Sequence, residues 1–264
     1  MESKHPAART LSWCCFFSML FALAVSMTAC HASRRTTLTV SAAASLQNAI
    51  REAEATYKQA RLNVDFSNNF GSSVTLAQQI EQGAPTDIFL SAAAKPVDDL
   101  EEKGLIAAGT RRNLLRNTLV LIAPQDSRLG GFQGLTDPSI RLIALGDPAS
   151  VPAGRYGQQT LLALHLLDKL NAKFVLGKDV RQVLTYVETG NADAGLVYST
   201  DAKSSTKVRV IAIAPESAHD PIVYPVAMIK GSRNEEAARK FIDYLANPGA
   251  QAIFQKYGFT MAAQ

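Results

Sequence analysis

The sequence predicts an α/β fold of two blocks, each a mostly parallel sheet flanked by helices, and three observations carry that prediction. Short β-rich runs alternate with helical patterns from residue 37 onward, a second block with the same alternation starts near residue 118, and no Pro/Ser-rich linker separates the two. Two such blocks imply two lobes packed around a cleft, with the chain passing between them more than once. The chain has 264 residues, 47% of them hydrophobic, enough to bury a substantial core.

The first block runs TLTV at 37–40, a helix from about Ser45 to Gln59, LNVDF at 62–66, a helix from about Val74 to Gln82, DIFL at 87–90, and a helix from about Val97 to Lys103. The second contains TLVLIA at 118–123, RLIALG at 141–146, a helix from about Gly154 to Leu170, another from Val180 to Gly190, AGLVYS at 194–199 and VRVIAIA at 208–214. PIVYPVAMI at 221–229 leads into a helix from Asn234 to Ala246, stopped by Pro248 and Gly249, and a last short helix ends near Tyr257.

Residues 1–30 differ in kind. Lys4 and Arg9 precede an apolar stretch, CCFFSMLFALAVSMTA, that is too short for a comfortable membrane span and marks an export signal. Met27, Thr28, Ala29 and Cys30 resemble a lipoprotein cleavage box, in which Cys30 becomes the lipidated first residue; ordinary cleavage near Ala32 is the alternative. Cys14 and Cys15 lie inside the signal, so residues 31–264 hold no thiol for a disulfide, a zinc site or a nucleophile. The net charge of +4 is spread out, without the basic and aromatic clustering of a nucleic-acid footprint.

Five turns carry candidate chemistry. Ser45, in SAAASLQNAI at 41–50, is placed to cap the helix that follows; alternatively, it and neighbouring N–H groups face an anion at the carboxyl edge of a parallel sheet. Gly71, Ser72 and Ser73 repeat the pattern. Two such turns, free of nearby cations, describe a pocket that holds an anion with neutral donors and helix dipoles. GDPASVPAGRYGQQ at 146–159 forms a stiff strand-to-helix loop in which Ala153 presents its backbone N–H, or a plain connection. Val180 begins a helix in GKDVRQVL, and Tyr198 ends an apolar strand, where its hydroxyl is a ligand donor or merely sits at the rim of the core.

Catalytic readings fail on definite points. Ser204 to Lys207 match S-x-x-K but sit in a polar run with no K-T-G companion, so a hydrolase is disfavoured. His31, His165 and His219 lack paired ligand spacing, no phosphate-binding loop or G-x-S-x-G elbow exists, and the acidic run at Asp98, Asp99, Glu101 and Glu102 is a solvated helix face. A regulator's ligand-sensing lobe is a third reading, opposed by the export signal. No cofactor is expected.

The ordered set AAASL at 42–46, SSVTLAQQIEQGAPTDIFLSA at 72–92, GDPASVPAG at 146–154, KDVR at 178–181, GLVYSTDA at 195–202 and FQKYGF at 254–259 resembles the molybdate-binding proteins of bacterial molybdenum ABC importers, a branch of the type II periplasmic binding proteins. The resemblance covers residues 36–262. It implies a non-enzymatic, monomeric, two-lobed protein that takes up molybdate or tungstate and delivers it to a membrane permease driven by an ATPase. Lobe 1 is expected at 35–113 and 226–264, and lobe 2 at 114–225. The family's ligand contacts fall on Ser45, Ser73, Ala153, Val180 and Tyr198. Phe70, Gly71, Val74 and Arg155 depart from the family pattern. An Arg155 that enters the pocket would add charge and keep sulfate, or another tetrahedral oxyanion, open as the ligand.

Overall fold

The computed structural model describes residues 1–2, 35–61 and 63–262. Beyond Met1 and Glu2, the expected export signal, with Cys30, lies outside the described residues. Among those described, no helix is long and apolar enough to cross a membrane.

From Thr36 onward the chain forms two sheets. The first block supplies β1 (Thr36–Ala43), α1 (Gln47–Ala60), β2 (Val64–Gly71), α2 (Ser73–Glu81), β3 (Ile88–Leu90), α3 (Lys95–Glu102) and β4 (Arg112–Arg116). Then come β5 (Leu119–Pro124), β6 (Ile143–Gly146), α4 (Pro152–Ala163), α5 (Leu167–Leu170), β7 (Phe174–Gly177), α6 (Val180–Glu188), β8 (Ala194–Tyr198), α7 (Ser199–Lys203) and β9 (Val208–Ile213). The chain finishes with β10 (Val223–Met228), α8 (Glu235–Leu245), α9 (Pro248–Lys256) and β11 (Thr260–Met261). Sheet order is β11-β4-β10-β3-β1-β2 in one and β7-β6-β8-β5-β9 in the other.

The sheets are mixed rather than mostly parallel. Strands joined through a helix, β1 to β2, β1 to β3, β6 to β7 and β6 to β8, pair in parallel. Strands that carry the chain between sheets, β4, β5, β9 and β10, pair antiparallel with their neighbours. The chain leaves the first sheet after Arg116 and re-enters it at Val223. The expected borders at 113 and 226 therefore fall inside β4 and β10.

Three local differences have local causes. The helix expected from Gly154 to Leu170 breaks after Ala163, because His165 adopts a left-handed conformation (φ 57°) and ends the ladder. Pro248 does not only stop a helix: it begins α9, where its missing N–H costs nothing, behind an Asn247 cap that accepts the Ala250 N–H. β4 and β7 were not expected from RNLLR and FVLG, which are short and lack a clean alternation.

Packing follows periodicity. Leu38, Val40 and Ala42 alternate into the first core, and Leu119 to Ala123 in β5 are buried on both faces. In β10, Pro225 has no N–H to donate, and the register against β4 shifts between Tyr224 and Pro225.

Candidate functional site

All five turns singled out above lie at carboxyl ends of strands that pair in parallel with a neighbour. Ser45 follows β1, Ser73 follows β2, Ala153 follows β6, Val180 follows β7, and Tyr198 ends β8. The structure brings Ser45, Ser73, Ala153, Val180 and Tyr198 together around one small space of about 10 Å³. Ala44, Gly71, Ala92 and Pro152 complete much of its wall, and no charged side chain lines it.

Ser45 is not a helix cap. It sits in a 3-10 turn (Ala44–Leu46) between β1 and α1; neither that turn nor α1 has a side-chain cap, and the Ser45 hydroxyl lies 3.0 Å from the Tyr224 hydroxyl instead. The turn displaces α1 by two residues from its expected start, which frees the serine for a tertiary contact. Ser72 is the cap of α2, accepting the Thr75 N–H at 3.5 Å. Its neighbour Ser73, 1% exposed, accepts the Ala92 backbone N–H at 2.9 Å. With its oxygen occupied by that donor, the Ser73 hydroxyl proton is left for whatever enters the pocket.

The second sheet contributes two helix N-termini. No side chain caps α4, so the N–H of Ala153, its second residue, has no partner inside the helix. At α6 the Asp179 carboxylate caps Gln182 N–H at 2.9 Å and leaves the N–H of Val180, the first helical residue, without a partner inside the helix. Gly154 lets α4 sit against β6: a Cβ there would fall 1.9 Å from the Gly146 carbonyl oxygen.

Tyr198 is 1% exposed and its hydroxyl has no hydrogen-bond partner among the described residues. Burial first, then the Tyr224, Tyr156 and Asp201 side chains, push its pKa well above the ordinary tyrosine value, so it stays a protonated donor. An unpartnered buried hydroxyl costs free energy unless a ligand claims it.

Charge is kept off the walls. Asp201, fully buried in α7, has its pKa pushed up to about 6 by burial, opposed by Arg181, whose Nε lies 2.7 Å away. Arg181 Nη1 also donates to Ser204 Oγ at 3.0 Å, so the cation beside Val180 is committed to α7. Arg155 is half-buried and stands outside the pocket walls; its charge is felt by Lys95 and Tyr156. Ser204 donates to the Asp201 carbonyl at 2.7 Å, a local turn contact rather than a nucleophile's arrangement. Among the described residues no cluster of His, Cys, Asp and Glu is arranged to hold a metal ion.

Sequence reasoning passed over Asn117 and Tyr224. Asn117 lies in the crossing between β4 and β5, and Tyr224 opens the β10 bulge; an isolated Asn and a Tyr in an apolar strand carry no signal of their own. Ser150 was also passed over: its carbonyl accepts the Ser72 hydroxyl from the opposite side of the pocket.

With that geometry in view, the model of the family described as bacterial extracellular solute-binding protein matches residues 38–260. The chain belongs to this family. A Bacillus subtilis protein whose name describes an ABC transporter substrate-binding lipoprotein is 45% identical over 229 residues, covering 86% of this chain and 87% of that one. The molybdate-binding protein ModA of Escherichia coli is 42% identical over 230 residues, covering 85% and 89%. The solved periplasmic molybdate-binding protein of Azotobacter vinelandii superposes with a TM-score of 0.77 at 26% identity, covering 86% of this chain and all of that one. The extracellular solute-binding fold thus matches the expected two-lobed binding protein, and such a protein holds a solute without transforming it.

Proposed function

We propose that this solute-binding protein captures molybdate or tungstate in the pocket between its two sheets. The carrying observation is the composition of the walls: hydroxyls of Ser45, Ser73 and Tyr198 and backbone N–H groups of Ala153 and Val180, with no charged side chain among them. A divalent tetrahedral anion is costly to bury, and hydrogen bonds to a charged acceptor, each worth roughly 1.5–3 kcal/mol, offset that cost when several donors converge. Two helix N-termini add favourable dipoles without a counter-ion. The names of the Escherichia coli and Azotobacter vinelandii relatives support the choice of anion.

Lobe 1 in this reading is the sheet built on β1 and lobe 2 the sheet built on β5, closing on the anion as a hinge through the crossing segments. The loaded protein, acting as a monomer, delivers its cargo to a membrane permease with its ATPase. Lipidation of Cys30 anchors it to a membrane on the periplasmic side, in keeping with the lipoprotein named in Bacillus subtilis.

Calorimetric titration with molybdate, tungstate, sulfate and phosphate tests the ligand. Molybdate and tungstate, nearly equal in size, are expected to bind tightly and one to one. Hydrogen phosphate needs an acceptor that a shell of donors lacks, and sulfate is held loosely because it is smaller. Sulfate binding as tight as molybdate would overturn the assignment. Mass spectrometry of the native N-terminus tests Cys30: a lipid-bearing mass is expected, and an unmodified chain starting beyond Cys30 overturns the anchor.

A further inference from the structure

We infer that Tyr224 and Asn117 act as positioning residues that set the direction of the Ser45 hydroxyl, so that Ser45 offers its proton to the bound anion. The inference rests on the oxyanion-binding reading and deepens it, because it assigns a role to two residues that do not line the pocket.

The hydrogen-bond chain begins at a group whose direction is not in question. The Thr118 backbone N–H can only donate, and it lies 2.9 Å from Asn117 Oδ1. That contact identifies the amide oxygen, and Ser199 Oγ donates to the same oxygen at 3.0 Å. Asn117 Nδ2 must then be the NH₂ group. It donates to Thr200 Oγ1 at 2.9 Å and to the Tyr224 hydroxyl at 3.2 Å, so all four hydrogen bonds of the amide are made.

Tyr224 is 1% exposed, and its hydroxyl has two hydrogen-bond neighbours, Asn117 Nδ2 and Ser45 Oγ. The amide nitrogen accepts nothing and the neighbouring Tyr198 hydroxyl makes no hydrogen bond, so the phenol proton goes to Ser45 Oγ, 3.0 Å away. Ser45, itself 3% exposed, becomes an acceptor toward Tyr224, and its own proton turns to the pocket it lines. Ser73 reaches the same state more directly, through the Ala92 N–H on its oxygen. Both serines are thereby fixed as donors, and hydrogen bonds in such a chain polarise one another. The Tyr224 ring is held independently of its hydroxyl by edge contacts with Tyr198 at 5.8 Å and Phe259 at 5.4 Å, so removal of the oxygen leaves the packing in place.

A double-mutant cycle with sodium molybdate tests this. Tyr224→Phe is expected to weaken binding about 3- to 10-fold in the wild-type background and less than about twofold in Ser45→Ala. An equal loss in both backgrounds, or none in the first, overturns the relay. A second variant reads direction itself. In Asn117→Asp the carboxylate accepts the Tyr224 proton, Tyr224 then accepts from Ser45, and Ser45 turns from donor to acceptor at the anion. Molybdate and hydrogen phosphate are both divalent at pH 8, so the added charge cancels in the ratio of their affinities. That ratio is expected to fall at least fivefold, and an unchanged ratio overturns the relay. Wild-type protein that binds neither molybdate nor tungstate overturns the oxyanion reading, and the relay with it.

Discussion

The Ser72 hydroxyl donates to the Ser150 carbonyl, joining the cap of a helix on the first sheet to the loop that leads into α4 on the second. Both residues adjoin the pocket, one beside Ser73 and the other just before Val151. A contact of this kind forms only when the two sides of the pocket meet.

Ser72→Ala is therefore expected to favour separation of the two sheets. It removes the cross-pocket bond and a long capping contact, each typically worth about 1 kcal/mol. Small-angle scattering without ligand should show a larger radius of gyration than wild type, and molybdate affinity should fall several-fold. Unchanged scattering and affinity would mean that the contact does not hold the sheets together.

Tyr198→Phe separates stability from binding. Its hydroxyl is buried without a partner, so loss of the oxygen should leave the unliganded melting temperature unchanged or raised. The anion loses one donor, and affinity should drop by about 10- to 100-fold, as for a hydrogen bond to a charged group. A fall in melting temperature without loss of affinity would contradict the role given to this tyrosine.

Gly154→Ala should damage fold and site together. The added methyl meets the Gly146 carbonyl, a backbone atom that moves only with its strand, so the start of α4 must shift and take the Ala153 N–H with it. A melting temperature lowered by several degrees, with molybdate binding weakened at least tenfold, is the expected result.

Glu54 predicts a pH dependence. It is 5% exposed, one oxygen accepts from Asn68 at 2.8 Å and the other is unpartnered, and burial pushes its pKa up from 4.5 to about 7. The folded value lies above the unfolded one, so the folded state binds more protons and stability falls as pH rises from about 4.5 to about 7. Glu54→Gln keeps the shape and removes the charge. Its melting temperature should exceed that of wild type by roughly 2–8 °C at pH 8 and match it near pH 4. A difference independent of pH would argue that packing, not ionisation, is responsible.

Much of the fold was legible because it is written in local periodicity. The alternation of apolar strands with amphipathic helices at Ser73–Glu81, Val180–Glu188 and Glu235–Leu245 placed those elements within two residues of where they lie. Strand direction was less legible. Pairing partners are chosen over long separations, and the antiparallel returns through β4 and β10 have no local mark.

By itself, the sequence determined which turns would join a strand to a helix, two of them small, hydroxylated and free of cations, and hence which residues could face an anion. Only the tertiary structure decided what their hydroxyls do. Capping is a local choice and looked open to Ser45; a tyrosine 179 positions away took that hydroxyl, while Ser72 took the cap that Ser73 left unused. The direction of a serine proton depends on every donor already aimed at its oxygen, and those donors arrive from distant strands that meet only when both sheets have formed.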